Sequence, residues 1–193
     1  FRSLAEKRIP HEFKVVQFRD PQWGVPEVNP LAKIPALVRG NGRPLYDSVV
    51  IAEYVDALVP EPRLIPEDIE ERAEVRRWEA LANGIMDATV AISHSYVIPE
   101  RDGDSLEASN RHQQKKIDLG LAAMAADLGD NAFCHGGAYS LADIAAGTAL
   151  LYLDVILPKC DWRMRHKGLD RLAKYLAAKP SFHATRHPLA TND

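Results

Sequence analysis

The chain predicts two unlike parts, a small α/β unit followed by an all-helical one. Three observations carry that division. Short β-rich runs and turn residues crowd into residues 1–59, prolines cluster at Pro60, Pro62 and Pro66, and beyond them apolar residues recur at helical spacing. The expected boundaries are 1–59 for the first unit, 60–66 for a linker and 67–193 for the second. Prolines on either side of Glu61 oppose a continuing helix and favour an extended connection.

In the first unit, Leu4, Ala5 and Ile9 predict the end of a helix, stopped by Pro10. Phe13 to Phe18 is a β-rich run with partial alternation, which predicts a strand. A loop with Asp20-Pro21 and Val25-Pro26 follows. Pro35-Ala36-Leu37-Val38 and Pro44-Leu45-Tyr46 flank Gly40-Asn41-Gly42, a hairpin signal because Asn and Gly accept positive φ. Ile51, Tyr54, Val55 and Leu58 then fall at i, i+3, i+4 and i+7, one apolar face of a helix.

The second unit reads as four helices. Glu67 to about Val97 carries Val75, Trp78, Leu81, Ala82, Ile85 and Thr89 on one face, with Gly84 and Ser93-His94-Ser95 as places where it could break. Residues 105–128 form a second helix, charged early and rich in Ala and Leu late. Leu141 to Leu157 is almost wholly apolar, so that helix is expected to be buried on most sides. Leu169 to Ala178 is amphipathic and ends at Pro180.

Composition excludes several classes. The chain has 193 residues, 46% hydrophobic and 26% charged, as in ordinary globular proteins. A net charge of −3 and a pI near 6.2 give no electrostatic footprint for nucleic acid or an anionic membrane. No apolar run approaches the roughly 18 residues of a membrane span, and no signal peptide is evident, so a cytoplasmic location is expected. Two cysteines, Cys134 and Cys160, make neither a disulfide framework nor a zinc site. His183 and His187 are four apart, but Pro180 and Pro188 leave little helix, and no metal site is expected. Arg163, Arg165, His166 and Lys167 form a small basic group that reads as solvated surface or a helix cap.

Two stretches carry chemistry. In Asn29-Pro30-Leu31-Ala32-Lys33-Ile34-Pro35-Ala36-Leu37-Val38 a proline stands just ahead of a strand. It lacks a backbone donor and can hold a tight cis turn, leaving the N–H and C=O of Ile34 free for a ligand. Asp47-Ser48 opens the next helix, where unpaired N–H groups and the positive dipole end suit a carboxylate. Together they read as two halves of a site for an extended, peptide-like anion. Further on, Tyr139-Ser140-Leu141-Ala142-Asp143-Ile144 matches a capping box with a hydrophobic staple. Ser140 and Asp143 therefore read as structural cap rather than catalytic pair.

These motifs, Asn29-Pro30…Lys33-Ile34-Pro35-Ala36-Leu37, then Leu45-Tyr46-Asp47-Ser48…Ile51…Glu53-Tyr54, then Ser140-Leu141-Ala142-Asp143, occur in the order found in the soluble glutathione S-transferases, which the chain resembles over nearly its whole length, in a bacterial-like form. The resemblance implies a thioredoxin-like first domain that binds glutathione and a helical domain lining the site of a small hydrophobic electrophile. It implies that the main chain of Ile34 pairs with the cysteinyl backbone of glutathione and that Pro35 is the cis residue shaping the turn. Ser48 would take the γ-glutamyl carboxylate, Asp47 would lie near the amine, and Lys33 would contact a further carboxylate. Ile85, Met86, Thr89, His94 and Tyr96 would line the electrophile pocket. It also implies a homodimer.

In that family the first strand is central in the sheet, and the thiol-activating residue lies between it and the first helix. This sequence opens inside that helix, so roughly 15–25 further residues are expected ahead of Phe1, and the catalytic residue is expected among them. Ala32 stands where a glycine is common before the lysine, a change that matters only if the position needs positive φ. The leading reading is a transferase conjugating the glutathione thiol to an electrophile. A non-catalytic glutathione- or protein-binding scaffold, and a glutathione-dependent thiol reductase or isomerase, remain open alternatives.

Overall fold

The computed structural model describes residues 1–16, 24–95 and 103–186, which divide into two compact units, Phe1–Arg63 and Leu64–Asp193. The 60–66 stretch is not a uniform spacer. Leu64 and Ile65 are buried, and the amide of Leu141 donates to the Leu64 carbonyl at 2.8 Å.

The first unit contains α1 (Arg2–Glu6), α2 (Val25–Val28), β1 (Leu37–Val38), β2 (Pro44–Leu45) and α3 (Ser48–Leu58). The two strands pair antiparallel, Leu37 opposite Leu45 and Val38 opposite Pro44, around a turn in which Gly42 has φ +79°. Leu4, Ile51 and Val55 form the buried core, with Ile9, Leu37 and Leu45 packed on it. Of the apolar face predicted for α3, Leu58 is the exception and is half exposed at the last turn. The expected strand at 13–18 is not formed over residues 13–16. Phe13 and Val15 stand in solvent, because the sheet among the described residues is two-stranded and offers them no neighbour to pair with. Residues 17 and 18 lie outside the described residues.

A buried ion pair ties this unit together. Lys7 Nζ meets Asp56 Oδ1 at 2.5 Å and donates to the carbonyls of Asp56 and Val59 at 3.2 and 2.6 Å. The ammonium thus closes the C-terminal end of α3, where unpaired carbonyls and the negative dipole end favour a cation.

The second unit contains α4 (Ile69–Ser95), α5 (Gly103–Leu128), α6 (Leu141–Ile156), α7 (Trp162–Arg165), α8 (Lys167–Ala177) and α9 (Pro180–Ala184). Helix α4 runs unbroken through Gly84 and Ser93-His94, and it packs along α5 and α6. A side chain at Gly120 would meet Ile85 Cγ1 at 2.8 Å, and one at Gly147 would meet Leu176 Cδ1 at 2.6 Å, so both glycines permit close helix approach. Helix α6 is the centre, with Leu141 to Gly147 all buried. Pro180 does more than end α8: it occupies the first turn of α9, where a missing N–H costs nothing.

The basic group at 163–167 is mostly neutralised. Arg163 makes a bidentate contact to Asp154 (3.1 and 2.6 Å), reaches Asp170 at 2.6 Å and lies over the Trp162 ring. Arg165 pairs with Asp118 and Asp161.

Candidate functional site: an open hairpin end

The predicted anion-binding halves flank one end of the β1–β2 hairpin. Leu37 lies opposite Leu45, so the residues two positions outward are Pro35 on one strand and Asp47 on the other. The Ile34–Pro35 bond is cis, and so is Tyr46–Asp47. Ile34 is 67% exposed, and its N–H and C=O make no hydrogen bond among the described residues. Lys33 is exposed as well, and its ammonium has no carboxylate partner among the described residues.

On the other side, Asp47 is the N-cap of α3 and its Oδ1 accepts from the Val49 amide at 3.1 Å. Asp47 and Ser48 are both exposed. The site therefore offers an unpaired main-chain donor and acceptor at Ile34, a free ammonium at Lys33, a hydroxyl at Ser48 and the amide-rich start of an eleven-residue helix. These are the kinds of donor, acceptor and cation that complement a peptide backbone and carboxylates.

Asn29 organises the turn, and sequence reasoning gave it no role of its own. It is 1% exposed. Its Oδ1 accepts from Leu31 N at 3.0 Å, its Nδ2 donates to Lys33 O at 2.7 Å, and its carbonyl accepts from Ala32 N at 2.8 Å. The Asn-Pro pair signals a turn, but nothing in the local pattern says that the side chain is buried. Ala32 has φ +52°, so the position does adopt the conformation that favours glycine.

The electrophile-pocket residues divide. Ile85 and Thr89 are 2% and 0% exposed; Ile85 packs near Gly120, and the Thr89 hydroxyl donates to the Ile85 carbonyl at 2.8 Å. Both belong to the interior of the helical unit, because the apolar face of α4 is the one it turns to α5 and α6. Met86 is half-buried, His94 is exposed, and Tyr96 lies outside the described residues. A cavity of about 720 Å³ opens in the helical unit beside Ile92, Ile156, Leu157 and Arg165, and none of Ile85, Met86, Thr89 or His94 lines it.

The capping box is complete. Asp143 is fully buried; its Oδ1 accepts from Cys134 N at 2.8 Å and its Oδ2 from Ser140 N at 2.9 Å, while Ser140 Oγ accepts from Ala142 N at 3.2 Å. Burial raises the Asp143 carboxyl above the usual aspartate range and outweighs these bonds. Burial and the neighbouring Asp143 push the Cys134 thiol far up, which disfavours the thiolate form. Among the described residues no three His, Cys, Asp or Glu side chains converge as a metal site, and His187 lies outside them. No helix among them is long and apolar enough to cross a membrane.

Comparison with known proteins decides the family. The N-terminal domain profile of glutathione S-transferases matches residues 3–58 and the C-terminal domain profile matches residues 96–178. The chain belongs to the glutathione S-transferase family. It is 33% identical over 187 residues to the uncharacterised GST-like protein YibF of Escherichia coli, a match covering 97% of this chain and 91% of that one. A solved glutathione S-transferase from Methylobacillus flagellatus with glutathione bound is 39% identical, with a TM-score of 0.90 over 95% of this chain and 90% of the other. Another, from Methylobacterium radiotolerans in complex with glutathione sulfonate, is 38% identical, with a TM-score of 0.89 over 95% and 86%. The fold is accordingly that of the family, a thioredoxin-like first domain and a mostly helical second one.

Proposed function

We propose that this transferase-family chain binds glutathione at the open hairpin end and conjugates its thiol to a small hydrophobic electrophile. The carrying observation is the exposed, unpaired main chain of Ile34 across the hairpin end from the Asp47-Ser48 helix start. Ile34 N–H and C=O would pair with the cysteinyl backbone in the manner of a short strand, beside the Pro35 turn. Ser48 and the helix amides would hold the γ-glutamyl carboxylate, Asp47 the amine, and Lys33 a second carboxylate. Relatives solved with glutathione or glutathione sulfonate support this ligand.

An ordinary cysteine thiol has a pKa of about 8.5, so glutathione at neutral pH is mostly protonated. Fixing both ends of the tripeptide places its sulfur for deprotonation to solvent, and the thiolate then forms a carbon–sulfur bond at the electrophilic carbon; with a chloronitroaromatic the carbon–chlorine bond breaks and chloride leaves. A homodimer in the cytoplasm is part of this proposal. The test is retention on immobilised glutathione, followed by conjugation of a chloronitroaromatic under saturating glutathione. Retention with turnover is expected. Retention without turnover on this or other electrophiles would favour the scaffold reading, and no retention would remove the ligand.

A further inference from the structure

We infer that Asn29 is a positioning residue of the glutathione site: its buried carboxamide holds the Lys33 carbonyl and thereby aims the Ile34 N–H at the ligand. The inference rests on the proposed reading that Ile34 main chain pairs with glutathione, and it names what sets that main chain's direction.

The Lys33–Ile34 peptide is not among the cis bonds, so its C=O and N–H point in opposite directions. Asn29 Nδ2 takes the C=O at 2.7 Å from a side chain that is 1% exposed. The N–H on the far side of the same rigid plane therefore points away from Asn29, at a residue that is 67% exposed. Without the anchor, the Lys33–Ile34 plane could rotate about its flanking bonds, and the donor would spend time turned from the ligand.

The side chain at this position must donate and accept at once. Oδ1 takes the Leu31 amide at 3.0 Å while Nδ2 gives to Lys33, two bonds made by one planar group. Aspartate keeps the acceptor but sets a carboxylate oxygen against the Lys33 carbonyl. Alanine removes both bonds.

The experiment follows backbone amides by nuclear magnetic resonance while glutathione is titrated into the full chain and into Asn29→Asp and Asn29→Ala. In the unaltered protein the Ile34 and Ser48 amides both shift. In Asn29→Asp the Ser48 amide still shifts, the Ile34 response is lost, and affinity falls roughly tenfold, the scale of one lost buried hydrogen bond. A residue that only stabilised the fold would weaken both responses together. Wild-type affinity in either folded variant, or an Ile34 response that survives in Asn29→Asp, overturns the inference. Should neither variant fold, the unaltered protein decides. Asn29 carboxamide protons protected from solvent exchange, with an Ile34 amide that responds to glutathione, support it; protons exchanging like those of an exposed asparagine overturn it. A response at Ser48 alone in the unaltered protein removes the inference and leaves the glutathione reading. A response at neither removes both.

Discussion

Helices α3 and α6 both begin beside a carboxylate, and the two carboxylates have opposite surroundings. Asp47 is exposed, caps one amide, and keeps a second oxygen open to solvent. Asp143 is fully buried and divides its oxygens between the amides of Cys134 and Ser140. The same residue type at a helix start is thus left accessible in one unit and built into the fold in the other. What differs is whether donors within the chain have already used the oxygens. A saturated cap has nothing left for a ligand, and an open one adds little to stability.

Paired alanine substitutions test this most severely. Asp143→Ala leaves two buried backbone N–H groups without acceptors and is expected to cost about 2–5 kcal/mol in urea denaturation. Asp47→Ala is expected to cost about 0.5–1 kcal/mol, as for an exposed cap, while glutathione affinity by calorimetry falls roughly tenfold, the loss of one charge-assisted contact. Equal stability losses at the two sites would break the comparison, as would unchanged affinity in Asp47→Ala.

Acid titration sharpens the meaning of burial. Asp143 is raised chiefly by burial, against the pull of its hydrogen bonds. Its native form therefore holds a proton more tightly than the unfolded chain does. Its contribution to stability is full below the ordinary aspartate value of 3.8 and is lost as pH rises through the higher folded value. Asp170 is lowered, first by the Lys174 hydrogen bond and also by Arg163. Its contribution is present above 3.8 and lost as pH falls through the lower folded value. Denaturation of the parent, Asp143→Asn and Asp170→Asn across the acid range should show the cost of the first growing and that of the second shrinking as pH falls. Two curves of the same sign would show that hydrogen bonds, not burial, dominate at Asp143.

The features legible in the sequence were those whose physics is local. The Ser140–Asp143 box spans one helical turn, and the Gly40–Gly42 hairpin and the apolar face of α4 follow from adjacent residues. Periodicity predicts the face of α4 but not what it meets; the resemblance implies a pocket role for Ile85 and Thr89, whereas both pack inside the helical unit. The run after Phe13 has strand composition, yet a strand forms only beside a neighbour, and residues 13–16 have none among the described residues. Lys7 and Asp56 are 49 positions apart, and nothing near either residue foretells a buried pair. The Asn29-Pro30 pair carries a turn signal, but the burial of Asn29 depends on the chain folding over it. Around the candidate site, the cis turn at Pro35 and the helix start at Asp47 were legible; the buried Asn29 side chain that bonds Leu31 and Lys33 was not.

The smallest expected effect concerns backbone conformation at the two kinds of site. The helical unit places glycine where φ is positive in its loops, at Gly129 (+50°) and Gly136 (+63°), whereas the ligand-side turn puts Ala32 at +52°. A left-handed residue with a Cβ costs about 1 kcal/mol, and glycine gives back part of that through its looser unfolded chain. Ala32→Gly should therefore raise stability by a few tenths to about 1 kcal/mol, read as a higher urea midpoint at unchanged slope. Gly129→Ala should lower it by a similar amount, since a Cβ there meets nothing within 4 Å and only the backbone conformation resists. Glutathione affinity should hold in both variants, because the Asn29 bonds to Leu31 and Lys33 do not involve the Ala32 side chain. A drop in stability for Ala32→Gly would mean that its methyl group contributes packing that outweighs the strain, and the ligand-side turn would then be as well fitted locally as the buried cap.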